Sequence, residues 1–117
     1  MFLELAHTRL DIFTVSKIFV LLCYKGTKAF PSEEKFALTQ QIRRAALSVH
    51  LNIAEGSSRK SLAERRRYYE IARGSVIEVD TAFDIAIELK YTDREMLDEP
   101  GRYLLRCFQM LSKMIEK

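Results

Sequence analysis

Apolar residues recur along this chain at helical spacing. Ile12, Val15, Phe19 and Leu22 follow the 3.6-residue period of one helix face. Phe13, Ile18, Val20, Leu21 and Tyr24 fill its other faces as well. The pattern predicts a helix over about residues 9–25, from Arg9, with Gly26 as its C-terminal cap. One neighbouring layer cannot cover so apolar a helix: either it lies central in the fold or a second face packs against another subunit, and in so small a domain the second is expected.

A second helix is expected to open in "FPSEEKF", where proline suits a first turn and Glu33 and Glu34 sit at the positive end of the helix dipole. Its core stripe is Leu38, Ile42, Ala45, Val49, Asn52 and Ile53, and Gly56 is expected to end it in the left-handed conformation. Ala45, Ala46, Ser48 and Ala54 are small enough for another helix to come close. "SLAE", from Ser61 to Glu64, reads as a capping box that starts a third helix running to about Lys90. Tyr69, Ala72, Val76, Phe83 and Ala86 lie on one side of it, with Ile71, Ser75, Ala82, Ile85 and Leu89 beside them.

"TDRE", from Thr92 to Glu95, reads as a second capping box, with Tyr91 and Met96 placed as a hydrophobic staple. Pro100-Gly101 then interrupts the pattern, so a short turn to about Leu97 and a restart at Pro100 are expected. Leu104, Phe108, Leu111 and Ile115 form the last stripe. No stretch alternates with period two. The elements predict an all-α protein, an up-down antiparallel four-helix bundle forming one domain over residues 1–117.

Composition agrees: 48% hydrophobic and 30% charged residues exclude a disordered chain, and four glycines with two prolines favour long helices. The net charge of +3 is unevenly spread, with nine basic to five acidic side chains over residues 1–60 and ten to eleven thereafter. Such an excess permits a polyanion-binding surface without demanding one. Cys23 and Cys107 fall within apolar helical patterns and read as reduced core thiols of a cytoplasmic protein. Glu4, Asp11 and Lys17 argue against a secretory signal, and the apolar run from Ile18 to Tyr24 is too short to span a bilayer. No membrane partner is expected.

Catalysis finds little support, since a nucleophile needs an oriented base and a metal needs clustered ligands. The two histidines are His7, near the N-terminus, and His50, mid-helix, where a structural or surface role is expected. The sequence offers no metal-binding or phosphate-loop motif. The chain is therefore read as a non-enzyme with no cofactor and no metal.

Glu78 shares a stripe with Gly74 and Thr81, bordered by Ile71, Ser75, Ala82 and Ile85, and is expected to be partly buried. A buried carboxylate needs a partner, and Arg43 or Arg44 is available. Gly74, costly inside a helix, is expected to permit a close backbone approach. Asn52, Ser61 and Glu64 are assigned to the helix-to-helix turn, and Glu55 to a polar contact there or between subunits. An Arg44–Glu55 contact would need a long reach or another chain.

Arg59 and Lys60 lie in the loop, and Arg65, Arg66 and Arg67 follow on the first turns of the third helix beside Tyr68 and Tyr69. Together they are suited to binding phosphates through side-chain charge, the helix N-terminus adding a little. The equal alternative is a solvated face with Arg66 and Glu70 as an i, i+4 pair.

The stretch "FPSEEKFALTQQIRRAALSVHLNIAEGSSRKSLAERRRYYEIARGSVIEVDTAFDIAIELKY" resembles the bacterial four-helix bundle proteins encoded in intervening sequences of 23S ribosomal RNA genes. It is similar, more distantly, to the accessory variability determinant proteins of diversity-generating retroelements. The matching pattern runs FPxxExFxLTxQIRRAAxSxxxNIAEGxxRxSxxE, then IAxGSxxE. It takes in Arg43 and Arg44, the block from Asn52 to Gly56, Arg59, Ser61, Glu64, Gly74, Ser75 and Glu78. His50 and Phe13 depart from it, standing where proline or a small residue, and tryptophan, are common.

The resemblance implies a bundle assembling as a homopentameric ring. It also implies nucleic-acid binding of the kind inferred for a few relatives, in which the retroelement type engages RNA or DNA and a reverse transcriptase through a basic surface. Arg43, Arg44, Arg59, Lys60, Arg65, Arg66 and Arg67 are then the candidate phosphate contacts, without base readout. The competing reading is a structural or protein-interaction adaptor whose arginines pair at helix and subunit contacts, with a protein partner and no nucleic acid.

Overall fold

The computed structural model describes residues 2, 3, 5 and 10–116. Glu4, His7 and the expected helix start at Arg9 lie outside the described residues. Helix α1, Asp11–Gly26, turns most of its crowded apolar surface inward, burying Ile12, Phe13, Val15, Phe19, Val20 and Cys23. It manages this because it is flanked by two neighbours, α2 (Leu38–Ser57) and α4 (Asp98–Glu116). Only Leu21 and Tyr24 of its second face remain substantially exposed. The bundle itself therefore absorbs the surface that the sequence pattern assigned to another subunit.

Helix α3, Leu62–Glu88, packs between α2 and α4, with its most extensive contact on α2. Pairings across the seams run antiparallel. From α2 to α3, Gln41 meets Glu78, Ser48 meets Ser75 and Ser57 meets Tyr69. From α1 to α2, Ser16 meets His50 and Tyr24 meets Arg43. The core is one cluster drawn from all four helices, with Phe19, Ile42, Val49, Ile53, Val76, Val79 and Leu111 fully covered. Among the described residues the elements are four α-helices and one 3₁₀ turn, as an up-down bundle requires.

The ends of the elements differ from the expected ones, each for a local reason. α1 ends on Thr27, whose hydroxyl donates to the carbonyls of Cys23 and Tyr24, so Gly26 needs no left-handed conformation. "FPSEEKF" forms a 3₁₀ turn over Ser32–Glu34, and α2 begins only at Leu38, whose N–H donates to the Glu34 carboxylate. Asp93, and not Thr92, caps the turn before α4 by accepting from the Met96 N–H at 2.8 Å. Met96 is exposed, while Tyr91 packs on Phe30 and donates its hydroxyl to Glu34, so the expected staple does not form. Pro100 does not interrupt α4. It occupies the first turn, where its missing N–H costs nothing.

Two glycines exchange their expected roles. At Gly56 the backbone has no positive φ, but an added Cβ would lie 2.9 Å from Tyr68 Cβ and 2.9 Å from Tyr69 Cε1. Gly56 is therefore the point of closest approach, and α2 runs on to Ser57. Gly74, expected to allow such an approach, faces open space within its chain. The left-handed position belongs to Lys90, at φ 64°, where α3 ends in a Schellman turn with Tyr91 N–H on Ala86 O and Lys90 N–H on Ile87 O.

Opposite effects are expected from one substitution at the two glycines. Gly56→Ala forces two tyrosines aside and should cost about 1 kcal/mol after the gain in helix propensity, whereas Gly74→Ala should add about 1 kcal/mol. Thermal melts should show shifts of a few degrees in opposite directions. Lys90→Gly, relieving a residue with a Cβ from φ 64°, should raise stability by about 1 kcal/mol in urea unfolding.

Candidate nucleic-acid interface

The turn between α2 and α3 is built by its own charges. Ser61 starts α3 by accepting from the Glu64 N–H at 3.0 Å, so half of the capping box is present. Arg59 reaches back to Glu55 at 3.1 Å and forward to the Tyr68 hydroxyl at 3.0 Å, its guanidinium 5.0 Å from the Tyr68 ring centre. Its Nε is buried without a partner. Arg65 turns its own Nε onto the Arg59 carbonyl. Two arginines of the basic run thus brace the turn.

The rest of that run is uncommitted. Lys60, Arg66 and Arg67 are exposed and make no hydrogen bond or ion pair among the described residues. The Arg66–Glu70 pair does not form. Arg66 lines a small apolar hollow with Leu62, Arg65, Tyr69 and Met114, and two turns further along α3 Arg73 bonds Ser112 of α4 at 3.2 Å. Positive charge therefore gathers at the end of the bundle where the α2–α3 turn lies.

Arg43 and Arg44 stand apart from this group. Arg43 donates from Nε to Thr27 Oγ1 at 2.8 Å and from its terminal amine to the Tyr24 carbonyl at 3.2 Å, with the Tyr24 ring 4.9 Å away. It pins α2 to the end of α1 and does not meet Glu78. Arg44 is exposed at the other end of the bundle, in a shallow groove with Phe36, Gln40, Gln41, Ile85 and Leu89. Glu78 is exposed and not partly buried, and its partner is the Gln41 amide. The stripe with Gly74 and Thr81 faces away from the core, which removes any need for a charged partner.

Asn52 does not belong to the turn. Its amide donates to the Ser48 carbonyl at 2.8 Å and to Ser48 Oγ at 3.0 Å, and Ser48 Oγ meets Ser75 Oγ at 3.0 Å. This polar ladder crosses the α2–α3 seam, and the small residues seen in the sequence are what bring its members together. His50 Nδ1 lies 2.7 Å from the fully buried Ser16 Oγ, and its ring packs on Phe13 at 4.3 Å. Ser16 also donates to Phe13 O, and its burial keeps any substrate from this serine–histidine contact.

Sequence patterns did not indicate Tyr68 as the clamp on Arg59 or Ser112 as the partner of Arg73. The one available signal was the nine-residue step from Arg59 across the turn to Tyr68. Cys23 and Cys107 are free and buried, and loss of water pushes both thiols up to about 12. Among the described residues no group of histidine, cysteine, aspartate and glutamate is arranged to hold a metal ion. Among them, too, no helix is long and apolar enough to cross a membrane.

No curated protein matches the chain. Its fold resembles a crystal structure of a protein of unknown function from the S23 ribosomal protein family of Bacteroides thetaiotaomicron. The two share 21% identity, with a TM-score of 0.80, over 91% of this chain and 99% of that one. At that identity the likeness speaks for the fold alone. The model of the 23S rRNA-intervening sequence protein family matches residues 8–116, nearly the whole bundle with its Asn52–Gly56 block and basic turn, and the chain belongs to that family.

Proposed function

We propose that this protein is a non-enzymatic, oligomeric helical bundle that contacts RNA or DNA phosphates through the end carrying the α2–α3 turn, without reading bases. The observation that carries the proposal is the contrast within the basic run. Arg59 and Arg65 are spent on building the turn, while Lys60, Arg66 and Arg67 project unpaired around it. A rigid turn that presents unneutralised cations is suited to a polyanion, whose condensed counterions are released on binding. Arg43 drops out of the phosphate-binding set because its guanidinium is held by Thr27 and Tyr24 at the end of α1, away from the turn, and Arg44 lies too far along α2 to join it.

Self-association is the second part of the proposal, as a closed ring of five copies in line with the family resemblance. Its support is the apolar surface left on and beside α2 and α3: Phe36, just before α2, is 81% exposed, and Leu47, Leu51, Ile71, Ile77, Ile85 and, at the end of α3, Leu89 are also open. Such a surface on a small soluble domain calls for a partner, and copies joined through different faces close into rings. The adaptor reading draws on the same surface and on Arg43, which serves packing rather than phosphate.

In a filter-retention assay at low ionic strength, structured RNA should bind, and log affinity should fall with log salt at a slope of about −2 to −3 for three phosphate contacts. The triple variant Lys60→Ala, Arg66→Ala, Arg67→Ala should remain folded and lose that binding. Retention that ignores salt, or survives in the triple variant, overturns the nucleic-acid reading. For self-association, Leu51→Glu should lower the mass seen in light scattering while Arg43→Ala lowers the melting temperature at unchanged mass. A Leu51→Glu protein of wild-type mass would remove α2 from the interface.

A further inference from the structure

At the end of the bundle that carries the basic turn, an apolar hollow of about 180 Å³ lies between the first turns of α3 and the last turns of α4. Leu62, Tyr69 and Met114 supply its apolar walls, with Arg65 and Arg66 beside them. Leu62 is 68% exposed and Arg66 is exposed too, so the hollow opens to solvent. Two of its walls are already fixed by the chain. Arg65 is held by its Nε on the Arg59 carbonyl, and Tyr69 by its hydroxyl, 3.0 Å from Ser57 Oγ, and by the close passage of Gly56. The hollow is therefore preformed, which is how small-ligand sites are commonly built. Unpaired cations alone would suit any polyanion. A preformed apolar hollow among them calls for a polyanion that also carries an apolar, flat group.

Resting on the nucleic-acid reading above, we propose that this hollow takes one unpaired base of a single-stranded RNA or DNA segment. The base lies against the Arg65 guanidinium and the Leu62 and Met114 side chains, while Lys60, Arg66 and Arg67 meet the neighbouring phosphates. A base inside a duplex has both faces covered by its neighbours and cannot enter, so the partner is a single strand, a loop or an end. Stacking of this kind tolerates any base, because each one has a π-face, and it adds no base readout. Charge and hollow make opposite demands. A patch of cations without the hollow favours the duplex, where phosphates are more densely spaced, whereas the hollow favours the single strand.

Three probes separate these demands at low ionic strength: an oligouridine strand, an RNA duplex of the same length, and the same ribose-phosphate strand without its bases. The oligouridine should bind most tightly to the full chain, and the base-free strand about tenfold more weakly. Leu62→Ser removes an exposed apolar wall and should leave the melting temperature nearly unchanged. It should weaken oligouridine binding about tenfold, to the level of the base-free strand, with the salt slope preserved. Equal binding of the native and base-free strands, or oligouridine binding unchanged in Leu62→Ser, overturns the base site and leaves the phosphate reading standing. No salt-sensitive retention of any of the three overturns both. A Leu62→Ser protein of lower mass in light scattering, with oligouridine binding intact, would give the hollow to a contact between copies and overturn the base site.

Discussion

The absence of a side chain at Gly56 sets how closely the last turn of α2 can lie against the first turns of α3. Tyr68 and Tyr69 occupy the space a Cβ would need, and that closeness has consequences along the whole seam. It brings Tyr69 to Ser57 and Tyr68 to Arg59, so the turn is closed by aromatic rings as well as by its backbone. Further along, it holds the Asn52–Ser48–Ser75 ladder at hydrogen-bonding distance. A partly buried polar ladder of this kind favours one register, because sliding one helix by a residue would strand its donors.

Helices were legible in the sequence because their stripes are long and strongly periodic. Ile42, Val49, Ile53, Ala72, Val76 and Leu111 were all placed on inward faces, where the structure buries them. Element ends were less legible, because capping depends on which of several eligible side chains arrives with the right geometry. Thr92 and Asp93 are adjacent and both able to cap, and only the folded turn selects Asp93. Glycine was ambiguous for the same reason: Gly56 at a helix end suggested left-handed backbone, but the demand there is steric, and Lys90 takes the left-handed place.

Charge was the least legible feature. The run at residues 59–67 reads as one basic patch, but the fold divides it into arginines that build and cations that remain open. Arg59 shows why: its guanidinium is held by Glu55 four residues before it and Tyr68 nine residues after it. The first contact follows from helical spacing and the second only from the angle of the turn. Arg43 looked like the natural partner of Glu78, but it lies on the α1 side of α2, where Thr27 and Tyr24 receive it. Which seam a helix face meets is a tertiary property, and residue spacing along one helix carries no record of it.

The bond from the Tyr91 hydroxyl to Glu34, at 2.7 Å, spans 57 residues and joins the two crossings at one end of the bundle. Glu34 also accepts from the Leu38 N–H where α2 begins, and Tyr91 completes the turn that ends α3. One carboxylate therefore couples the start of one helix to the finish of another. Opening either crossing removes one hydrogen bond from the other, so the two are coupled through this carboxylate. Such coupling favours protection from exchange that is shared by the two crossings rather than separate for each.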